Sequence, residues 1–330
     1  MPATHVVLES SHIQTIAHHF DLGDVTAWQQ AGKVYRLHAQ RGTFALRFFN
    51  TGVTRAHVQS TQMVRGALVE AGLPVGAPVS TPAGTTIVEW NGALCELQPW
   101  IPHNGDGHNW ASLITAAAPL RRMHDCMATC PAVPDQHDDP WRSPAELANQ
   151  LAANAVSLRQ RADQIGVAIG HSLHLARHIL ETLRDGGILD TCPRQLTHGD
   201  FQGRNILFQA DALVGIIDFE RLEHRPRLYD LAWPFIFWRF FGTTRGDYDD
   251  LDWQLARAYC VAYAAASTQV LDEHDWATLP LLMAYIPARG IAQAAGESEP
   301  IAEVVAFSKA LNFAAWLVHH PGDALTRLRG

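Results

Sequence analysis

The stretch that decides the fold is Leu-Thr-His-Gly-Asp-Phe-Gln-Gly-Arg-Asn-Ile-Leu-Phe at residues 196–208, followed by Val-Gly-Ile-Ile-Asp-Phe-Glu at residues 214–220. The first segment is polar in its middle and apolar at its end, and the second begins with an apolar run. Short apolar runs bounded by turn residues indicate buried strands. The sequence therefore predicts a polar loop between two short strands, and it places Asp218 at the end of the apolar run that follows.

The polar residues of this loop have the spacing of a phosphoryl-transfer site. Asp200 follows a His-x-Asp pattern, and Asn205 stands five residues later, as in a loop where the Asp meets the acceptor hydroxyl. Phosphate oxygens and carboxylates repel each other, so a cation must lie between them. We predict that Asp200 is the catalytic base, that Asn205 and Asp218 bind Mg²⁺, and that ATP is the phosphoryl donor. Each residue alone would fit a polar turn, but the three in order favour catalysis.

The overall composition is that of an ordinary globular protein. The chain has 330 residues, of which 47% are apolar and 18% charged, enough for two lobes around a cleft. Its formal net charge of −8 disfavours nucleic acid and anionic membranes as partners. A small-molecule partner is therefore expected. Oligomeric state has no sequence signal. The only lysines are Lys33 and Lys309, so arginine supplies most of the positive charge.

Three features favour a cytoplasmic location. The five cysteines are odd in number and contain no Cys-x-x-Cys pair, which indicates a reducing compartment. The first residues lack the basic start and apolar core of a signal peptide. The most apolar run, residues 231–241, is interrupted by Pro234 and Arg239 and is too short to span a membrane.

The first 98 residues predict a small lobe. Residues 44–49 alternate as a strand, and residues 56–71 have helical spacing that ends at Gly72. Asn91-Gly92 separates the predicted strands 85–90 and 93–98 and is a strong hairpin signal. We therefore predict an N-terminal, nucleotide-binding lobe over residues 1–98, formed by an antiparallel sheet and one main helix.

The rest of the chain predicts a larger helical lobe. Residues 99–104 have turn chemistry and form the predicted hinge, and residues 105–330 form the predicted catalytic and substrate-binding lobe. Pro119 should kink or split the helix that contains it. The Pro- and Asp-rich residues 131–142 predict a surface loop, after which a capping box places a helix start at Pro144.

The catalytic stretch, together with Tyr-Asp-Leu-Ala at residues 229–232, resembles the aminoglycoside phosphotransferase superfamily, which includes choline kinases and type II homoserine kinases. The resemblance implies an α+β, two-lobed, protein-kinase-like fold. It also implies that Asp230 buttresses the catalytic loop and that His198 supports this loop by hydrogen bonding.

The resemblance extends to the small lobe. Residues 31–36 resemble the family's phosphate-covering loop, which implies nucleotide contacts for Gly32 and Lys33. Arg47 falls where a lysine usually grips the phosphates, and the two residue types are not interchangeable. The glutamate that pairs with this cation in the family has no match, because the expected helical turn carries Gln59, Thr61 and Gln62. This departure leaves the ion pair open.

The resemblance further implies that adenine is held by the connector, through Gln98, the Pro99 carbonyl and the Ile101 amide. The acceptor should lie in the large lobe near Asp200. Acidic and aromatic side chains there would suit an ammonium group. The candidates are Asp200, Glu220, Glu223, Trp233, Phe235 and Trp238. Each of these could equally pack in a core or face water.

The sequence therefore predicts an ATP-dependent kinase acting on a hydroxyl group of a small molecule. The acceptor stays open among amino alcohols, homoserine-like amino acids, sugars and aminoglycosides. Two alternatives also stay open. One is a protein Ser/Thr kinase of the stress-response type. The other is a catalytically degenerate nucleotide-binding module, suggested by Arg47 and by the missing helix glutamate.

Overall fold

The computed structural model describes residues 8–31, 34–50, 52–130, 141–242 and 251–329. In the helix that ends at Gly242, side chains are described as far as Ile236. Within these ranges the chain forms an antiparallel sheet near its N-terminus and a larger, mainly helical part after it. The predicted α+β class, with a small sheet lobe before a helical one, is confirmed.

Five antiparallel strands form the N-terminal sheet. They are β1 (Val25–Ala31), β2 (Val34–Ala39), β3 (Gly42–Phe48), β4 (Ile87–Trp90) and β5 (Ala93–Pro99). Their order across the sheet is β1-β2-β3-β5-β4. Helix α1 (Ser10–His19) precedes the sheet, and helix α2 (Arg55–Glu70) is inserted between β3 and β4.

Strand β3 has two different faces, as its alternating sequence predicts. Leu46 and Phe48 are buried in a core that includes residues of α1. Ala45 and Arg47 lie on the opposite face, because successive side chains of a strand alternate. Glu96 on β5 is directly opposite Arg47 in the strand register. The face that carries these two charges therefore points away from the α1 core.

Helix α2 agrees within one residue with the helix predicted over residues 56–71. It begins after Thr54, whose hydroxyl accepts a hydrogen bond from the backbone amide of His57. It ends before Gly72, which has a φ of +73°. Val64 and Leu68 are buried in the main core of the helical part. Helix α2 thus ties the sheet to the rest of the molecule.

The predicted hairpin forms at Asn91-Gly92, where both residues have positive φ angles, +49° and +78°. Strand β4 begins at Ile87, two residues later than predicted. Thr81 and Thr85 form a turn instead, because the Thr81 amide donates to the Thr85 carbonyl over 2.7 Å.

The connector joins strand β5 to the helical part. Pro99, predicted as the first hinge residue, is the last residue of β5 and lies opposite Phe44. The Trp100 amide donates to the Thr43 carbonyl, and the Asn104 amide donates to the Phe208 carbonyl. The connector is therefore bonded to both parts of the chain, and the lobe boundaries given above stay predictions.

Five short strands form two small sheets beside the connector. They are β6 (Gly105–Asp106), β7 (Arg194–Thr197), β8 (Ile206–Gln209), β9 (Ala212–Ile216) and β10 (Glu223–Pro226). Strands β6, β8 and β9 form one antiparallel sheet, and β7 pairs with β10 in the other. The two strands predicted around the polar loop are β7 and β8, and β9 leads to Asp218.

The remaining helices surround one large apolar core. They are α3 (Trp110–Met127), α4 (Pro144–Gln164), α5 (Gly170–Gly186), α6 (Ile188–Thr191), α7 (Tyr229–Gly242), α8 (Trp253–Ala265), α9 (Glu273–Gln293), α10 (Pro300–Ser308), α11 (Leu311–His319) and α12 (Pro321–Arg329). In the described ranges, no single helix has both the length and the apolar content to cross a membrane. Helices α10 and α11 have this length and apolar content only when they are taken together, and they are bent by 53° relative to each other.

Two predictions about helices have different outcomes. Helix α4 begins at Pro144 with the predicted capping box, in which Ser143 and Glu146 exchange hydrogen bonds. Of the kink or split predicted at Pro119, the split does not occur, because α3 continues through it. An internal proline costs roughly 3 kcal/mol, and burial of Leu120 and Met123 in the core offsets that cost. Residues 131–140 of the predicted loop lie outside the described ranges.

Candidate active site

The catalytic loop starts where strand β7 ends, and its second residue must be glycine. Gly199 has a φ of +80°, a conformation that other residues rarely adopt. A Cβ atom at this position would overlap with the carbonyl oxygen of Arg221. The glycine therefore lets the loop turn sharply beside the segment after Asp218.

Asp230, at the start of helix α7, holds this turn in place. Its carboxylate accepts hydrogen bonds from the backbone amides of His198 (2.7 Å) and Gly199 (2.8 Å), and from Nε2 of His124 (2.9 Å). Burial favours the neutral carboxyl, but the hydrogen bonds and charge of His124 outweigh it and lower the pKa of Asp230. We call this fully buried group the Asp230 anchor.

His198 is fixed by hydrogen bonds on both ring nitrogens. Its Nδ1 accepts from the Asp200 amide over 3.2 Å, and its Nε2 donates to the Ile217 carbonyl over 2.9 Å. An atom that accepts from an amide cannot carry a proton itself, so the network selects the Nε2–H form. The ring links the catalytic loop to the residue before Asp218, as a supporting residue would.

The carboxylate of Asp200 is buried and oriented by its own loop. Gln202 donates to its Oδ1 over 2.7 Å, and the side-chain amide of Asn205 donates to its Oδ2 over 3.0 Å. The guanidinium of Arg204 lies 3.5 Å from the same Oδ2 and is largely exposed. Asp200 is therefore held in one orientation beside a mobile cation.

Asn205 has a side chain suited to a hard cation. Its Nδ2 donates to both the carbonyl and the carboxylate of Asp200. The orientation of the amide is fixed by these two bonds, which leaves its Oδ1 as an oxygen donor on the other side. Its backbone carbonyl accepts from the Ile217 amide over 3.0 Å. The backbone of Asn205 is thus bonded to the residue before Asp218, and amide and carboxylate oxygens are the ligands that Mg²⁺ prefers.

Asp218 occupies a left-handed backbone conformation, with φ +69° and ψ +61°. Such a conformation in a non-glycine residue is uncommon and stores strain of about 1–3 kcal/mol. Asp and Asn adopt it more readily than other residues. The turn lifts the carboxylate out of the line of strand β9 and towards Arg47.

Arg47 bridges the two parts of the chain. Its NH2 lies 2.7 Å from Asp218 Oδ1 and 2.7 Å from Glu220 Oε1. Burial raises the pKa of Asp218, but the adjacent guanidinium lowers it more, to about 2. Burial likewise opposes the charge on Arg47, and the two carboxylates raise its pKa well above the usual range. We call these three residues the Arg47 bridge.

Two of the residues predicted to contact the nucleotide, Gln98 and Pro99, lie at the end of strand β5. The Trp100 amide bonds to strand β3, so by the alternation of an antiparallel pair the Pro99 carbonyl points away from that strand. Gln98 accepts a hydrogen bond from Arg65 on α2 over 3.2 Å. Gly32 and Lys33 lie outside the described residues.

A cavity of about 600 Å³ adjoins the connector. The guanidinium of Arg36 lies 4.7 Å above the ring of Trp100 at this cavity. The cavity is lined by Arg36, Thr43, Trp100, Pro102, His103, Asn104 and Gln209. The lining spans both parts of the chain, and the connector residue Ile101 stands between Trp100 and Pro102 in sequence.

The candidate acceptor residues are placed differently from one another. Glu220 contacts Arg47, the residue predicted to bind the nucleotide phosphates. Trp233 is 3% exposed, and its indole donates to the Gly199 carbonyl over 2.8 Å, which favours a supporting position over contact with an acceptor. Phe235 is fully buried in the core. The side chain of Trp238 lies outside the described residues.

Sequence reasoning missed several residues of the site. Gln202 and Arg204 were present in the catalytic stretch, and only their polarity marked them. Trp233 was predicted for the acceptor and not as a support of the loop, although its spacing of three residues from Asp230 places both on one face of the helix. Glu96 is a charge inside the apolar strand Ala-Leu-Cys-Glu-Leu, which is a signal for a buried, paired carboxylate.

The antiparallel sheet, the larger helical part and the loop of Asp200 and Asn205 define the class of protein: an ATP-dependent kinase with a hydroxyl group as acceptor. The sequence profile of the phosphotransferase enzyme family (APH) matches residues 27–274, more than half of the chain. The chain therefore belongs to the phosphotransferase enzyme family, and the resemblance described above is confirmed.

No curated protein matches the chain in sequence, but solved structures resemble it over nearly its whole length. The microcompartment-associated aminopropanol kinase has a TM-score of 0.67 at 14% identity, covering 97% of this chain and 100% of that one. An aminoglycoside phosphotransferase from Alicyclobacillus acidocaldarius subsp. acidocaldarius DSM 446 has 0.64 at 17%, covering 96% and 98%. Amicoumacin kinase hAmiN, in complex with AMP-PNP, Ca²⁺ and Ami, has 0.64 at 13%, covering 93% and 94%. These likenesses confirm the protein-kinase-like fold.

Proposed function

We propose that this chain transfers the γ-phosphate of ATP to a hydroxyl group of a small molecule, with Asp200 as base and Asn205 and Asp218 as ligands of Mg²⁺. One observation carries the proposal. The Asn205 amide donates twice to Asp200, which aims its remaining oxygen away from the base while its backbone is bonded beside Asp218. This arrangement separates a proton acceptor from a pair of metal-binding oxygens.

The carboxylate of Asp218, one of the two proposed metal ligands, is negatively charged. Asp218 stays ionised because Arg47 lowers its pKa to about 2, although burial opposes this. Its carboxylate and the Asn205 oxygen supply hard donors. When bound, Mg²⁺ would neutralise charge on the phosphate oxygens.

Asp200 orients the hydroxyl of the acceptor and accepts its proton. Gln202 and Asn205 fix its carboxylate, so it can orient an incoming hydroxyl without moving itself. Because proton transfer is late in phosphoryl transfer, orientation is the larger part of its contribution. Arg204, 3.5 Å from Asp200 and exposed, is free to turn towards the transferred group.

The acceptor class is inferred from two structural neighbours and from the net charge of the chain. The open candidates are amino alcohols, homoserine-like amino acids, sugars and aminoglycosides. Two of the structural neighbours are named as an aminopropanol kinase and an aminoglycoside phosphotransferase, both of which point to amines. A net charge of −8 also suits a cationic acceptor. An amine-bearing alcohol is therefore the class that we propose first.

An ADP-release screen tests the proposal. The wild type should release ADP in the presence of Mg²⁺ and ATP, and one class of amine-bearing alcohol should stimulate it. Asp200→Asn should lower kcat at least about 100-fold, since general bases contribute roughly 10²–10⁴, while nucleotide affinity by calorimetry stays within twofold.

The matched control is Asp211→Asn, which changes an exposed aspartate on the turn between β8 and β9. It should keep the wild-type kcat. Wild-type turnover by Asp200→Asn would contradict the assignment of the base. Phosphate transfer to a protein substrate alone would favour the Ser/Thr kinase alternative, and nucleotide binding without turnover would favour the degenerate module.

A further inference from the structure

Helix α2 presents a buried polar pair to the sheet. Gln62 and Arg65 lie one turn apart, and both are less than a tenth exposed. They donate to the same atom, Oε2 of Glu96 on strand β5, over 2.9 and 2.5 Å. Arg65 also donates to Oε1 of Gln98. The helix therefore contributes the cation of an ion pair, and the strand contributes the anion.

Glu96 stands beside the phosphate-binding candidate as well. It lies directly opposite Arg47 in the register of β3 and β5, and it is 1% exposed. Burial opposes the charge on Arg47; Asp218, Glu220 and also Glu96 act against burial and raise its pKa. Glu96 thus lies between two arginines, one on each side.

The charges alternate in sign from helix α2 towards Arg47 and its partners. Arg65, Glu96 and Arg47 follow one another from the helix to the strand facing the cleft, and Asp218 and Glu220 complete the series. Without Glu96, Arg65 would lose its carboxylate partner, and Arg47 would lose one of its three neighbouring negative charges. A buried ion pair adds little stability over an apolar pair of similar volume, so stability alone does not account for it.

We propose that Glu96 positions Arg47 for the nucleotide phosphates and that Arg65 couples this position to helix α2. The helix then contributes the cation of the ion pair and the sheet contributes the carboxylate, the reverse of the arrangement expected from the resemblance. This inference rests on the proposed function. It accounts for the missing helix glutamate, since the carboxylate stands on the neighbouring strand. Glu96 acts through Arg47 and is a positioning residue.

The first test is Glu96→Gln, which removes the charge and keeps the shape. The KM for ATP should rise about tenfold, the size typical of losing a residue that orients a ligand-binding group. The KM for the acceptor should stay unchanged. The matched control is Glu89→Gln on strand β4, an exposed glutamate whose replacement should leave both constants at wild-type values.

A double variant separates positioning from folding. Glu96→Gln leaves Arg65 as an unpaired buried charge and should lower the melting temperature. Glu96→Gln with Arg65→Gln removes both charges and should recover the melting temperature while the KM for ATP stays raised. Recovery of both quantities would overturn the proposal, and so would a wild-type KM in Glu96→Gln. Failure of both variants to fold would also overturn it, because the pair would then be a folding element.

A binding titration keeps this inference apart from the proposed function. If the wild type transfers phosphate to no acceptor, the proposed function fails. Magnesium ADP can still be titrated into the wild type, Glu96→Gln and Glu89→Gln. Weaker binding by Glu96→Gln alone supports the positioning role, and equal binding by all three contradicts it.

Discussion

The Asp230 anchor and the Arg47 bridge both hold a carboxylate near the proposed phosphoryl-transfer site, but the groups that form the contacts differ. The anchor is fully buried, lies within the helical part, and uses backbone amides of the catalytic loop as donors. The bridge joins side chains across the two parts of the chain, and its Asp218 carboxylate is 35% exposed.

This difference indicates which contacts can change during turnover. Backbone donors cannot leave Asp230 without unfolding the loop, so the catalytic loop is preorganised. The side chains of the bridge can rotate, and Asp218 accepts from Arg47 through Oδ1, which leaves Oδ2 as a donor for a cation. The backbone support of Asp230 is thus fixed, whereas the side-chain contacts of the bridge can exchange.

The largest expected effect is on the anchor. Asp230→Ala should lower the free energy of unfolding by about 3–5 kcal/mol, because two buried amides and His124 lose their acceptor. Urea denaturation measures this. Asp211→Ala, at an exposed position, should change it by less than about 0.5 kcal/mol. Equal values for the two variants would mean that the anchor is not a support.

A second, smaller effect tests the turn that the anchor holds. Gly199→Ala should destabilise the protein by more than Gly92→Ala, although both glycines have φ near +80°. At Gly92 an added Cβ meets no atom of the described chain within 4 Å, so only the backbone term of roughly 1–2 kcal/mol remains. At Gly199 the overlap with Arg221 adds to it.

The two glycine variants should also differ in activity. Gly199→Ala should lower kcat, since any shift of the loop displaces Asp200, whereas Gly92→Ala should keep the wild-type kcat. Thermal unfolding and the ADP-release assay measure the two quantities. Equal destabilisation by both variants would show that the loop can relax away from Arg221.

The sequence was informative where neighbours in the chain are neighbours in space. The order His198, Asp200, Asn205 and Asp218 follows from one continuous stretch, and so do the strands on either side. The helix α2 and the Asn91-Gly92 turn depend on local chemistry and agree with the structure. Such features could be predicted because their partners are a few residues away.

The sequence was uninformative where the partner is remote. The Glu96 contacts lie 31 and 34 residues away on another element, and no spacing rule reaches that far. Trp233 was assigned to the acceptor because aromatic rings suit cations, but its indole bonds to the Gly199 carbonyl, 34 residues away. Pro119 was expected to divide a helix whose continuity comes from tertiary packing. Each difference reflects a contact that folding creates.

The smallest effect sharpens the contrast through pH. Arg47 lowers the pKa of Asp218 to about 2 from 3.8, against the effect of burial. A depressed pKa stabilises the folded state above the unfolded value, and this contribution disappears as pH falls from about 4 to 2. Because the carboxylate is partly exposed, solvent screens the pair, and the contribution should be about 1 kcal/mol.

Asp218→Asn provides the measurement. At pH 7 its free energy of unfolding in urea should be lower than that of the wild type, and the difference should shrink towards pH 2. The exposed Asp211→Asn should show no such trend, because its carboxylate forms no ion pair within the described structure. A difference that is constant across this range would show that Arg47 stabilises Asp218 no more than solvent does. The bridge would then be open without nucleotide, and only the anchor would be preformed.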